Sequence, residues 1–135
     1  MSKERDYFMK ILIIEDEREV SQFIEKLIES WGHSVESAGT GKEGLKIFKQ
    51  GGFDLVLLDI FLPDVKGYEL IPDFKAINPE VNIVAMTGHN SRELELKVRS
   101  QGIIFYMVKP WESHVLKSIV DHISEKSLCM ERAVQ

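Results

Sequence analysis

Acidic, hydroxyl and basic side chains follow short apolar stretches at four places in this chain: Glu15 with Asp16, Asp59, Thr87 and Lys109. Carboxylates without His or Cys are oxygen ligands that suit Mg²⁺, a cation that readily shares a phosphate. An ammonium group and a hydroxyl group can then bind the oxygens of a phosphoryl group. These residue types predict a site for Mg²⁺ and a phosphoryl group if the fold brings the four places together.

Asp59 is the central residue of this set. It ends the stretch FDLVLLD, and Pro63, Asp64 and Gly67 then mark a loop. An ionised carboxylate beside so much apolar surface needs a cation, a hydrogen-bond donor or a shifted pKa. Next to a bound metal ion, Asp59 can act as the nucleophile that forms an aspartyl phosphate.

Each of these residues also has a purely structural interpretation. Asp16 could cap the helix that follows it, and Asp59 could begin a turn. Thr87 could be a hydrogen-bonded loop hydroxyl, and Lys109 could be a solvated lysine. A functional site is favoured only because the predicted fold independently brings all four places to one edge of a sheet.

Hydrophobic periodicity predicts five strands that alternate with five helices. The expected strands are 10–14, 33–37, 55–58, 81–86 and 103–108. The apolar run 55–58 taken alone could also be buried helix. Strict alternation implies a parallel sheet with right-handed crossovers and helices on both faces. In such α/β sheets, ligands bind beyond the carboxyl ends of the strands, which is where the polar residues lie.

Local signals predict the ends and the buried faces of the helices. Six apolar residues of the first helix share one face, which we expect to be buried: Val20, Phe23, Ile24, Leu27, Ile28 and Trp31. Thr40 with Glu43, and Asn90 with Glu93, have the spacing of capping boxes at the second and fourth helices. Pro72 is expected in the first turn of the third helix, where its missing N–H costs little.

Composition limits the class of protein. A chain of 135 residues with 44% hydrophobic content fits one globular domain. Its net charge of -5 argues against nucleic acid as the main partner. No apolar run approaches the roughly 20 residues that span a bilayer, and the N-terminus has no apolar signal core. Cys129 is the only cysteine, so an internal disulfide is not possible, and we expect a cytoplasmic protein. The short apolar runs also lead us to expect no membrane partner.

Four motifs, each after the expected strand, make the chain resemble the receiver domain of response regulators in two-component signalling. They are ILIIEDE at 11–17, LLDIFLPDVKG at 57–67, MTG at 86–88 and VKP at 108–110. The resemblance covers about residues 9–125. It implies an α/β fold of the flavodoxin-like, doubly wound (βα)5 type, with a five-stranded parallel sheet in the order 2-1-3-4-5. We expect a polar lead-in at 1–9, the domain at 10–126, and a frayed end or the start of a linker at 127–135.

The resemblance implies a phosphoacceptor and a metal site. Asp59 would accept a phosphoryl group from the phosphohistidine of a sensor histidine kinase or a phosphotransfer protein. The side chains of Asp16 and Asp59 and the backbone carbonyl of Phe61 would bind Mg²⁺. Glu15, which stands where Asp is frequent in the family, would act mostly through a bound water.

The resemblance also implies a conformational switch. Lys109 would pair with Asp59 and then with the phosphoryl group, and the Lys109–Pro110 peptide bond would be cis. Thr87 would move toward the phosphoryl oxygens, and Tyr106 would turn inward with it. The structural interpretation of Tyr106, a half-buried aromatic residue in a strand, is compatible with this role. The surface of the fourth helix, fifth strand and fifth helix would then change, controlling an output domain or downstream protein or forming a phosphorylation-dependent dimer.

Two further residues would affect the lifetime of the phosphorylated form. Phe61 and His89 lie two residues after Asp59 and Thr87, at positions that in the family affect the access of water to the acyl phosphate. A bulky Phe61 is expected to hinder in-line attack, and His89 could either orient a water or simply be exposed. We expect slow to intermediate self-dephosphorylation.

Other classes of function remain open at this point. One alternative is a receiver-like protein-interaction module that is not phosphorylated, although the complete set of site residues argues against it. An aspartate-nucleophile phosphatase would need a second acid where the chain has Phe61, and a flavodoxin-like redox protein would need a Gly/Ser/Thr-rich loop at 15–17. We expect no separate metabolic activity. The chain could act alone or belong to a longer regulator.

Overall fold

Five parallel strands form the centre of the computed structural model, which describes the backbone of residues 8–134 and the side chains of residues 8–126. The strands are β1 (Lys10–Ile14), β2 (Ser34–Ala38), β3 (Leu55–Asp59), β4 (Asn82–Thr87) and β5 (Phe105–Val108). They pair in the order β2-β1-β3-β4-β5. The predicted α/β fold and strand order are confirmed, and the predicted strand ends differ from these by at most two residues. Most of the predicted lead-in at 1–9 lies outside the described residues.

Helices cover both faces of the sheet. They are α1 (Arg18–Ser30), α2 (Gly41–Phe48), α3 (Ile71–Ile77), α4 (Arg92–Arg99) and α5 (Ser113–Val134), and a 3-10 turn (Gly67–Leu70) precedes α3. Apolar residues of α1 and α5 pack on one face, and those of α2, α3 and α4 pack on the other. No helix in the described part of the chain combines the length and apolar content of a membrane-spanning segment.

The central strands are buried on both faces because their side chains alternate between the two cores. In β1, Ile11 and Ile13 join the core under α1 and α5, whereas Leu12 and Ile14 join the opposite core. The same alternation makes all five residues of β3 buried. This double burial explains why these strands are continuous apolar runs in the sequence. The outermost strand β2 is more polar and only partly buried, as expected at an edge.

Hydroxyl side chains cap the starts of α2 and α4. Thr40 Oγ1 accepts a hydrogen bond from the backbone N–H of Glu43 at 3.1 Å, so the cap of α2 is confirmed. The cap predicted at Asn90 is wrong, because Ser91 is the extended residue before α4 and accepts from the N–H of Leu94 at 3.1 Å. The helix therefore begins one residue later than predicted, and Asn90 instead accepts a hydrogen bond from the hydroxyl of Tyr106. Pro72 lies in the first turn of α3, as predicted.

One residue of the predicted buried face of α1 points outward. Phe23 is 54% exposed, whereas Ile24 and Ile28 are fully buried. Successive helical residues are about 100° apart around the axis, so the neighbour of a central core residue can fall at the border of the face. The prediction that Phe23 is buried was wrong for this reason.

Helix α5 continues to Val134, beyond residue 126. The sequence predicts a frayed end or the start of a linker there, because the apolar pattern stops after Ile123. Residues 124–134 contain neither Pro nor Gly and are rich in helix-favouring types, so the backbone remains helical without that pattern. The fraying is thus not seen in the described backbone, and the division of the chain at residue 126 stays a prediction.

Candidate functional site

Three acidic side chains meet at the carboxyl ends of β1 and β3. Ile14 pairs with Leu58, so the two strands end at the same level, with Glu15 and Asp16 beside Asp59. One carboxylate oxygen from each of the three acids lies within 4.8 Å of the other two. Glu15 and Asp59 are buried, at 2% and 5% exposure, whereas Asp16 is open to solvent. The predicted acidic cluster is therefore formed.

Lys109 supplies positive charge to this cluster. It follows β5, and its Nζ donates to Glu15 Oε1 at 2.7 Å and to Asp59 Oδ2 at 3.0 Å. Its backbone N–H donates to the carbonyl of Thr87 at 2.7 Å, which ties the end of β5 to the end of β4. The Lys109–Pro110 peptide bond is cis, as the resemblance implied.

Burial and the neighbouring charges shift the pKa values of Glu15 and Lys109. Burial raises the pKa of Glu15 to about 7, and the negative charge of Asp59 adds to this effect, while the hydrogen bond from Lys109 opposes it. Burial alone would lower the pKa of Lys109, but its hydrogen bonds to Glu15 and Asp59 outweigh burial and raise that pKa. The cluster therefore holds a charged lysine between two carboxyl groups, one of which protonates readily.

Both carboxylate oxygens of Asp59 have a hydrogen-bond donor. Oδ2 accepts from Lys109, and Oδ1 accepts from the backbone N–H of Phe61 at 3.0 Å. The loop after Asp59 is held at its base by an antiparallel bridge between Phe61 and Lys66. Gly67 is required there, because a Cβ at that position would overlap the backbone carbonyl of Asp59. The orientation of Asp59 is therefore determined by its own loop and by Lys109.

Thr87 ends β4 beside the cluster and is fully buried. Its Oγ1 accepts a hydrogen bond from the backbone N–H of His89 at 3.0 Å, which closes the turn after the strand. The structural interpretation of Thr87 as a hydrogen-bonded loop hydroxyl is thus correct for this conformation. Thr87 ends the strand that pairs with β3, whose last residue is Asp59.

Phe61 and His89 contact each other at the mouth of the cleft. Their rings meet edge to face, with centroids 5.8 Å apart and an interplanar angle of 81°. Both line a cleft of about 280 Å³ together with the acidic cluster and Lys109. Phe61 and His89 therefore form one contacting pair in the cleft that contains Asp59.

Tyr106 lies away from the cleft in this conformation. Its hydroxyl donates to Asn90 Oδ1 at 2.8 Å, and the guanidinium of Arg99 lies 5.5 Å from the centre of its ring. Arg99 also pairs with Glu95 at 2.8 Å. Burial, followed by the charge of Glu95, raises the pKa of Tyr106. The partners Asn90 and Arg99 were missed from the sequence, because nothing local links them to Tyr106.

The structural interpretation of Asp16 is not supported. The residue at the start of α1 is Glu17, and no side chain caps that end of the helix. Asp16 instead contributes an exposed carboxylate to the acidic cluster. With oxygen donors from Glu15, Asp16 and Asp59, and no His or Cys among them, the cluster is suited to a hard divalent cation.

Comparison with known families identifies the domain. Residues 11–121 match the family described as the response regulator receiver domain. The chain belongs to this family. The family resemblance drawn from the four sequence motifs is therefore confirmed for this receiver domain.

Individual relatives support the same assignment. The transcriptional regulatory protein CusR of Escherichia coli is 33% identical over 103 residues, which cover 76% of this chain and 45% of that protein. The transcriptional regulatory protein ZraR of the same species is 27% identical over 111 residues, covering 82% and 25%. The receiver domain thus spans about a quarter to a half of the length of these curated relatives.

A solved structure has the same fold. The CheY-like response regulator receiver domain protein of Methanospirillum hungatei superposes with a TM-score of 0.83 at 30% identity. The superposition covers 89% of this chain and 97% of that one. The receiver fold is therefore shared over nearly all of this chain.

Proposed function

We propose that this receiver domain is a phosphorylation-dependent signalling switch in which Asp59 is the phosphoacceptor. The observation that carries the proposal is the environment of the Asp59 carboxylate. It is buried, receives hydrogen bonds from Phe61 N–H and Lys109 Nζ, and lies beside two further carboxylates. Preorganised donors around a buried nucleophile stabilise charge that develops during phosphoryl transfer.

Mg²⁺ is the proposed cofactor. The side chains of Asp16 and Asp59 would hold it, with the backbone carbonyl of Phe61 as a further ligand and Glu15 acting mostly through water. The cluster supports this assignment because its donors are all oxygens and Lys109 balances only part of its negative charge. When bound, the ion would neutralise charge on the phosphoryl oxygens.

The proposed donor is the phosphohistidine of a sensor histidine kinase or a phosphotransfer protein. A carboxylate oxygen of Asp59 attacks phosphorus, the phosphorus–nitrogen bond breaks, and its electron pair returns to the imidazole nitrogen of the donor, which takes up a proton. Lys109 then pairs with a phosphoryl oxygen. The domain thus promotes its own phosphorylation, and we propose no separate metabolic activity.

Loss of the phosphoryl group is proposed to be slow to intermediate in rate. Water must attack phosphorus opposite the bond to Asp59, after which that bond breaks to give the carboxylate and inorganic phosphate. The Phe61–His89 pair lies at the mouth of the cleft through which such a water would pass. This position supports a role of both residues in modulating dephosphorylation, with the Phe61 ring hindering the attack.

The output is proposed to pass through the surface of α4, β5 and α5. Phosphorylation adds about -1.5 to -2 charges at pH 7, which would draw Thr87 and Lys109 inward. Tyr106 would follow Thr87, and a partner that prefers this form would shift the population. The partner is an output domain or a downstream protein, or a second copy in a phosphorylation-dependent dimer. We place the domain in the cytoplasm, without direct binding to nucleic acid or a membrane.

The test is phosphorylation of the purified chain by a small phosphodonor in the presence of Mg²⁺. Intact mass should show one added phosphoryl group in the wild-type chain and none in Asp59→Asn or after chelation of Mg²⁺. Circular dichroism of Asp59→Asn should match the wild type, which excludes unfolding as the cause. If no donor gives an adduct, the interaction-module alternative replaces this proposal.

A further inference from the structure

Asp64, at the tip of the loop between β3 and α3, binds the first turn of α2. Its Oδ1 accepts from the backbone N–H of Gly41 at 2.9 Å, and its Oδ2 accepts from that of Lys42 at 3.0 Å. Asp64 does not line the acidic cleft. In the sequence, Asp64 marks only a loop, because no local signal pairs it with residues 22 and 23 positions earlier.

These two hydrogen bonds are between a charged acceptor and backbone donors that have no partner within the helix. The hydrogen bonds from Gly41 and Lys42 lower the pKa of Asp64, so its carboxylate is ionised at neutral pH. A negative charge at the N-terminus of a helix is also favoured by the helix dipole. Asp64 therefore joins the loop to α2 through charge-assisted bonds.

Packing reinforces the same contact. A Cβ on Gly41 would overlap the side chains of Val65 and Leu70. The absence of a side chain at Gly41 thus lets the loop lie directly against the first turn of α2. Val65, next to Asp64, packs against the core between the sheet and α2, α3 and α4.

The loop can transmit the position of its tip to its base. Phe61 pairs with Lys66 in an antiparallel bridge, and the N–H of Leu62 donates to the carbonyl of Val65 at 3.2 Å. Residues 61–66 therefore form a narrow paired loop with Asp64 at one end and Phe61 at the other. Phe61 N–H holds Asp59 Oδ1 at 3.0 Å, so a shift of the loop would reach the acidic cluster.

We propose that Asp64 is a positioning residue for the cation and phosphoryl site. By holding the loop against α2, it fixes the backbone of Phe61, which orients Asp59 and supplies a proposed ligand carbonyl. This inference rests on the proposed function, since it concerns the same Mg²⁺ site. The competing explanation is that Asp64 only caps α2 and that its loss would affect stability alone.

Thr40 provides a matched control for that explanation. It caps the same turn of α2, because its Oγ1 accepts from the N–H of Glu43 at 3.1 Å. Unlike Asp64, Thr40 lies in the segment that leads into α2 and not in the loop of residues 61–66. Asp64→Ala and Thr40→Ala therefore both remove a cap from one helix end. Asp64→Asn keeps one acceptor oxygen and removes the charge.

The experiment compares these three variants of the 135-residue chain with the wild type by urea unfolding and by NMR titration with MgCl₂ at constant pH and ionic strength. Amide hydrogen exchange at Phe61 and Leu62 is the second readout. We expect both alanine variants to lower the urea midpoint. Only Asp64→Ala should weaken Mg²⁺ binding, by about tenfold, as is typical when the support of a metal ligand is removed. Its loop amides should also exchange faster, and Asp64→Asn should fall between Asp64→Ala and the wild type.

Two results would overturn the inference while leaving the proposed function in place. In the first, Asp64→Ala binds Mg²⁺ as tightly as the wild type, so the residue is only a helix cap. In the second, Thr40→Ala weakens Mg²⁺ binding as much as Asp64→Ala, so the effect passes through the stability of α2. Failure of the wild type itself to bind Mg²⁺ would instead overturn the metal step of the proposed function, and this inference with it.

Discussion

The Nζ atom of Lys109 lies 3.0 Å from Asp59 Oδ2, although the two residues belong to strands that are not neighbours. Asp59 ends β3 and Lys109 follows β5, so the lysine side chain reaches across the end of β4. Thr87 ends β4, which lies between β3 and β5 in the sheet. The ammonium group of Lys109 therefore links the ends of β1, β3 and β5, because it bonds to both Glu15 and Asp59.

Replacement of Lys109 by Met should destabilise the domain in the absence of Mg²⁺. The variant leaves the buried carboxyl groups of Glu15 and Asp59 without their shared cation, and breaking a buried ion pair costs about 3 kcal/mol. Urea unfolding measures this loss. Excess MgCl₂ should restore part of it, because a divalent cation can replace the missing charge.

Lys109→Arg is the control for this prediction, since it keeps a positive charge on a long side chain. It should retain more of the free energy of unfolding than Lys109→Met. Equal stability of Lys109→Met and the wild type in EDTA would show that the ion pairs of Lys109 contribute nothing to folding.

The stability of the metal-free domain should fall as pH rises from 5 to 8. The pKa of Glu15 is about 7 in the folded state against a usual value of 4.5, so the folded state binds the extra proton between these values. The stability associated with protonated Glu15 is fully present below pH 4.5 and is lost as pH rises through 7. A shift of this size corresponds to about 3–4 kcal/mol at most.

Glu15→Gln tests the origin of this pH dependence, because the amide has no proton to lose. Free energies of unfolding, measured in EDTA across this pH range, should decline for the wild type and stay nearly level for Glu15→Gln. Parallel curves for the two proteins would assign the decline to other groups.

The fold and the location of the site could be predicted from the sequence because both depend on patterns within single elements. Strands buried on both faces must be apolar throughout, as in β1 and β3, and alternation with helices makes the sheet parallel. A parallel sheet then places Asp59, Thr87 and Lys109 at one edge, whatever their side-chain conformations. The cluster was therefore predictable without any knowledge of distances.

The remaining features depend on how separate elements pack against each other. The contact of Asp64 with α2 joins residues more than 20 positions apart, and Tyr106 binds Asn90 across 16 positions. The exposure of Phe23 is set by which side of α1 faces the sheet. None of these features leaves a periodic or capping signal in the local sequence, so the sequence could not reveal them.

Removal of the Phe61 ring should speed the loss of the phosphoryl group from Asp59. Phe61 is 38% exposed and contacts His89 at the mouth of the cleft, so Phe61→Ala opens a path for water. We expect about a tenfold faster decay, equivalent to about 1.4 kcal/mol in the barrier. The decay is followed by intact mass after removal of the phosphodonor.

The exposed Phe23 on α1 supplies a matched control, because Phe23→Ala removes the same ring from a residue that does not line the cleft. Its decay should equal that of the wild type. Since Phe61 and His89 touch, the effects of Phe61→Ala and His89→Ala should be non-additive in the double variant. Decay of the wild-type phosphoryl group within seconds would contradict the shielding role of this pair.

In this structure the hydroxyl of Tyr106 bonds to Asn90, away from the cleft. This outward conformation should become less populated when the hydrogen bond is removed. The bond is 2.8 Å long and lies near the surface, so Asn90→Ala should cost the outward form about 0.5–1 kcal/mol. That loss corresponds to about a two- to fivefold shift toward the inward form. Fluorine NMR of the fluorotyrosine-labelled chain reports it, with the Tyr106 signal moving toward its position in the phosphorylated wild type. Asn90→Asp is the control, because it keeps an acceptor oxygen and should leave the signal near that of the unphosphorylated wild type. An unchanged signal in Asn90→Ala would contradict the prediction and would show that the contact with Arg99 alone holds the ring.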